Sequence, residues 1–200
     1  MKNLRLLFLV QIGFFAFLFS AEKEEISKIF QFKSGIVEYE VLYSDNPTIV
    51  KRTLYIDDYG KKLCMDYKIF SRGEKHFIYI FTEEGSIAIN MNMKYAVKRK
   101  NPKELFDEED LGEWFKEILY GERKNKIVNK NNFKGIDKVL EQECEVYEVG
   151  NERFWIWENL ILKWEMSGRI QTAKKIQTNV SIPPKKFEVP KGIWVFPKIF

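Results

Sequence analysis

Histidine and cysteine are scarce in this 200-residue chain, and the scarcity closes most routes to catalysis. The one histidine, His76, sits beside the Gly73-Glu74-Lys75 turn and is expected to be exposed at a strand start. A Ser/His/Asp or Cys/His site needs a general base held against its nucleophile, and no second imidazole is present to serve. No His or Cys cluster has metal-ligand spacing, and no glycine-rich loop is built to cradle phosphates. The acids of Asp57-Asp58 and Glu108-Glu109-Asp110 suit a turn and a helix start better than an acid-base pair. The expectation is a protein that is not an enzyme, with no catalytic residues, no metal and no cofactor.

No apolar run outside the N-terminus invites a membrane span. At the N-terminus, Lys2 and Arg5 precede the apolar stretch Leu6 to Phe19, and the polar, charged run Ala21-Glu22-Lys23-Glu24-Glu25 follows it. At about 14 residues the stretch is shorter than the ~20 that cross a bilayer. Its layout is that of a secretory signal peptide over residues 1–21, with an uncleaved anchor or a buried helix as alternatives. No cysteine stands at the junction, which argues against a lipid anchor. A periplasmic or otherwise exported location follows. Loss of Lys2 and Arg5 takes the formal charge from +4 to +2, so the basic balance says little about partners. Aromatics alternate with Lys and Arg as on a nucleic-acid platform, yet export argues against nucleic acid. Cys64 and Cys144, an even pair in an exported chain, permit a disulfide or are two ordinary buried thiols. Nothing in the sequence speaks to oligomeric state.

What is abundant is apolar and aromatic: 45% and 16% of residues. With no repeat and no linker, residues 22–200 are expected to form a single domain. Glu22 to Phe32, with Ile26, Ile29 and Phe30 at helical spacing, reads as an N-terminal helix. Period-two strands follow over Val37 to Tyr43, Thr48 to Ile56, Lys61 to Phe70, His76 to Thr82 and Ile87 to Lys98, separated by turn residues. The short spacing argues an antiparallel meander. Asp107 to Tyr120 returns to helical period, with Leu111, Trp114, Phe115 and Ile118 on one face and Gly121 as a stop. Glu122 to Lys134 is a polar connection. Strands resume over Lys138 to Val149, Arg153 to Trp157, Leu160 to Met166 and Thr172 to Ile182, and Lys185 to Phe200 is an extended tail. The fold class expected is α+β: a strongly curved antiparallel sheet of eight or nine strands, an incomplete β-barrel, its concave face covered by the two helices.

A family resemblance adds to this reading. Leu54-Tyr55-Ile56-Asp57-Asp58-Tyr59-Gly60-Lys61 resembles the "YxDDYG" hairpin of uncharacterised secreted bacterial proteins related to the lipoprotein-carrier (LolA-like) superfamily. Cys144-Glu145-Val146-Tyr147, Trp155-Ile156-Trp157, Leu162-Lys163 and the stretch from Ile182-Pro183-Pro184 to Val189-Pro190-Lys191-Gly192 resemble that group's C-terminal half. The resemblance implies a half-barrel whose concave side binds acyl chains, lipids or an acylated protein, without chemistry. On this reading Met91, Met93, Tyr95, Trp114, Phe115, Ile118, Leu162 and Trp164 line an apolar cleft, and the protein is a periplasmic carrier with transient membrane contact. The competing reading is an envelope interaction or sensor protein whose core is filled.

Overall fold

The structure, a computed structural model, describes residues 28–99 and 127–197. The expected signal peptide and the expected helix Asp107 to Tyr120, with Trp114, Phe115 and Ile118, lie outside the described residues.

One sheet accounts for nearly all of the described chain. Its strands are β1 (Gly35–Tyr43), β2 (Asn46–Asp57), β3 (Lys62–Phe70), β4 (Glu74–Thr82), β5 (Gly85–Asn90), β6 (Tyr95–Arg99), β7 (Phe133–Val139), β8 (Gln142–Val149), β9 (Glu152–Trp157), β10 (Leu160–Met166), β11 (Arg169–Thr178) and β12 (Trp194–Pro197). The order across the sheet is β12-β6-β5-β4-β3-β2-β1-β11-β10-β9-β8-β7. Two antiparallel meanders, β1 to β6 and β7 to β11, are therefore joined by pairing of β1 with β11, and β12 adds in parallel to β6. The expected meander is present.

The α+β half-barrel is not. The sheet is open, with β12 and β7 as its edges, and among the described residues no helix reaches seven residues. The described part of the expected N-terminal helix, residues 28–32, is not helical, and from Ile29 it is a run of bends. Ile29 and Phe30 donate their backbone N–H groups to Tyr59 O, at 2.9 and 3.2 Å, not to their own chain a turn earlier. Phe30 and Phe32, two apart, are both buried and stack in series with Trp157, at 5.6 and 5.8 Å between centroids. In so short a stretch the apolar spacing fits period two as well as period 3.6, and packing against the Asp58–Gly60 turn decides.

Both faces of the sheet carry core. Cross-strand partners share a face. Leu54, Met65, Tyr79 and Ala88 form one such row across β2 to β5, and Tyr55, Cys64, Ile80 and Ile87 form a row on the opposite face. The second face is covered by the extended C-terminal segment, whose Phe187, Val189 and Ile193 pack on Cys64, Ile80, Ile89 and Ala96.

Candidate functional site

The first face carries two rows rich in aromatic side chains. From the β7 edge the register places Phe133, Tyr147, Phe154, Trp164 and Gln171 side by side on consecutive strands. From β11 toward the other edge, the next row runs Ala173, Tyr39, Arg52, Tyr67, Phe77, Asn90 and Tyr95. Ring contacts knit these rows: Phe133 with Tyr147 at 5.7 Å, Phe154 with Trp164 at 6.3 Å, and Tyr67 with Phe77 at 6.3 Å.

Polar groups sit where the rows meet. Arg52 is 2% exposed and donates from Nη1 to Gln171 Oε1 at 2.6 Å, across 119 residues of sequence. Because a guanidinium only donates, this bond fixes the Gln171 amide and turns its Nε2 donor the other way. That Nε2 is buried without a hydrogen-bond partner among the described residues. The Arg52 guanidinium lies over the Tyr67 ring at 4.9 Å, and burial lowers its pKa, with Tyr67 opposing the shift and Arg169 adding to it. Arg169 lies between two rings, 5.0 Å from Trp164 and 5.5 Å from Tyr43. The indole of Trp164 donates to Glu152 Oε2 at 3.0 Å, and Tyr39 donates from its buried hydroxyl to Ile161 O at 3.0 Å. The arrangement is a ring-lined, largely buried layer with a cation at its centre.

Of the residues expected from sequence, Leu162 and Trp164 are buried in the core, and Trp164 belongs to this face. Met91, Met93 and Tyr95 do not form the expected stripe. The run from Ile87 to Lys98 is a hairpin: Asn90 Oδ1 accepts from Met93 N at 2.9 Å, Asn92 bonds to the His76 and Glu74 backbone, and Lys94 takes φ 56°. The four-residue turn shifts parity, so Tyr95 pairs with Asn90 and shares its face, while Met93 is 71% exposed at the tip. Asparagine side chains that bond backbone make this turn without glycine or proline. Arg52, Gln171 and Arg169 escape sequence reasoning because each reads as an ordinary polar strand position. A clue did exist, since Arg52 falls on the same alternation as the apolar Val50, Leu54 and Ile56.

Neither cysteine is placed as a nucleophile. Cys64 and Cys144 are free and buried, on β3 and β8 with five strands between them, so the disulfide left open by the sequence is not made. Burial pushes the thiols up, to about 12 for Cys64 and about 11 for Cys144, which keeps them protonated. His76 is half-buried, not exposed as expected, with Nε2 2.8 Å from Asp66 Oδ1. Among the described residues no group of three His, Cys, Asp or Glu could hold a metal. A cleft of about 900 Å³ opens between the β1–β2 and β3–β4 hairpins, but turn residues such as Asn46, Arg72 and Glu74 line it.

No family model matches the chain, and no curated protein matches it. The fold is similar to that of an uncharacterized conserved protein from Thermus thermophilus, at 8% identity and TM-score 0.55 over 84% of this chain and 92% of that one. Two crystal forms of PNGF-II align at 11% and 10% identity with TM-scores of 0.36 and 0.35, over 83% of this chain and 32% and 31% of theirs. The Thermus protein thus shares the architecture.

Proposed function

We propose that this is an exported, non-catalytic envelope protein that binds an apolar ligand, an acyl chain or lipid, against the aromatic face of its sheet. The observation that supports it is the pair of cross-strand aromatic rows converging on Arg52 and Gln171. A plain core would fill such a face with aliphatic residues, because a desolvated guanidinium is unfavourable even when bonded. Burial of acyl methylenes gains about 0.8 kcal/mol each, enough for useful affinity from a partly enclosed chain. The test is a titration of delipidated protein with a fluorescent fatty acid. Phe77→Glu and Tyr79→Glu, at half-buried positions on this face, should weaken binding at least about tenfold, while Met93→Glu at the exposed turn leaves it unchanged. Absence of saturable binding by the folded wild type would contradict the reading.

A second reading is an envelope interaction protein with a filled core. It is favoured by the near-complete burial of Tyr39, Arg52, Gln171, Phe154 and Trp164. The same titration separates the two.

A further inference from the structure

The β12 edge is apolar on both of its sides, and no other strand pairs with it among the described residues. Trp194 is 77% exposed, Phe196 50% and Val195 46%. Trp194 and Phe196 alternate with Val195 along the strand, so aromatic side chains leave from one side and the valine from the other. Beside them Met93 is 71% exposed at the β5–β6 turn, tied to the strand where Trp194 N donates to Lys94 O at 3.0 Å. Edge strands are commonly protected by charge, and large apolar side chains placed on one are not explained by protection. Two exposed cations are close in sequence to the apolar group, Lys94 next to Met93 and Lys191 three residues before Trp194. One exposed acid, Glu74, whose backbone oxygen accepts from Asn92, borders the far side of the turn.

We propose that this corner is a membrane-docking surface that inserts Met93, Trp194 and Phe196 at the interface of an anionic bilayer, with Lys94 and Lys191 against its headgroups. Trp is suited to that depth, where its ring meets acyl chains and its N–H meets water. Lysine beside it adds attraction to anionic lipid that salt screens. Trp194 and Phe196 share the face of Tyr95, whose ring lies 6.2 Å from that of Phe196, so this corner adjoins the aromatic face, but docking here needs no ligand on it.

The experiment is flotation of the full chain with vesicles of phosphatidylcholine, alone or with a minority of phosphatidylglycerol, and bromine-labelled lipid as a quencher of tryptophan. Binding should favour the anionic vesicles and fall with salt. Lys94→Gln and Lys191→Gln should each lower the partition to anionic vesicles about fivefold. Met93→Ser/Phe196→Ser should lower it at least about tenfold on both compositions. Trp194→Phe should retain binding and lose most of the quenching, which ties the signal to this corner. Quenching that survives Trp194→Phe, or binding that ignores every substitution, overturns the proposal. So does a dimer dissolved by Met93→Ser/Phe196→Ser, which would assign the edge to a second copy of the chain.

Discussion

Arg52 places a cation in the middle of an aromatic sheet face and holds the Gln171 amide oxygen, so the two side chains should be energetically coupled. Truncation to Ala removes the donor, strands the buried Gln171 acceptor and opens a void, and should cost about 3 kcal/mol. The volume-matched pair Arg52→Met/Gln171→Leu should recover most of that loss, because apolar side chains of similar size need no partners. Urea denaturation of the variants checks this, and a double variant as unstable as Arg52→Ala would mean that the polar pair is a net stabiliser. The thiols make a second case. Cys64 is raised from an ordinary 9.0 to about 12, first by burial and then by Asp66. A raised folded-state value means a contribution fully present below pH 9 and lost as pH climbs toward 12. Wild type should therefore lose about 2 kcal/mol more than Cys64→Ala between pH 8 and about pH 10.5. Equal losses would show that this thiol is not desolvated.

Among the elements, the Asp58–Gly60 turn carries more than its hairpin. Tyr59 sits at φ 57° and Gly60 at φ 98°, and Tyr59 O receives both Ile29 and Phe30 while Tyr59 N donates to Lys33 O at 2.9 Å. A Cβ on Gly60 would meet Ile29 Cβ at 2.8 Å and the Phe30 ring at 2.9 Å. Gly60→Ala combines a left-handed backbone penalty with that overlap, and should lower stability by about 3 kcal/mol by thermal or chemical denaturation. A change under about 1 kcal/mol would mean that residues 29 and 30 give way freely.

The elements also show what was legible before the structure. Alternation placed β1 to β4 and β9 to β11 within a few residues, because one side of each strand is apolar. Glu158-Asn159 announced its turn, and both residues take positive φ. Leu140-Glu141 announced nothing, yet they too sit at φ 51° and 65°, so the expected strand Lys138 to Val149 is broken near its start, and most of β7 lies before it, where no strand was expected. Leucine is a poor turn residue, so that hairpin is imposed by its partners. The turn at Met91 to Lys94 hid in the same way, inside an alternation that continued by coincidence. The candidate site was the least legible part. Gln171 reaches Arg52 only through the β1–β11 pairing, a contact that no local pattern encodes.

At the scale of the whole molecule, the β1–β11 pairing turns two meanders into one twelve-stranded sheet and aligns their aromatic rows on one face. The two faces differ in what they carry. One has Trp164 beside the Arg52 centre, and the other has Trp155, bonded from Nε1 to Asp137 at 2.9 Å with Lys163 4.1 Å from its ring. Trp194 stands at the β12 edge, beside Tyr95 at the far end of the first face. These indoles report separately, so the most direct measurement is the tryptophan indole N–H spectrum of ¹⁵N-labelled, delipidated protein titrated with palmitate below its micelle concentration. Saturable movement of the Trp164 resonance, with Trp155 and Trp194 still, is the result predicted for a ligand on the aromatic face. Movement of Trp155 or Trp194 while Trp164 stays fixed, or no movement at all, would contradict it.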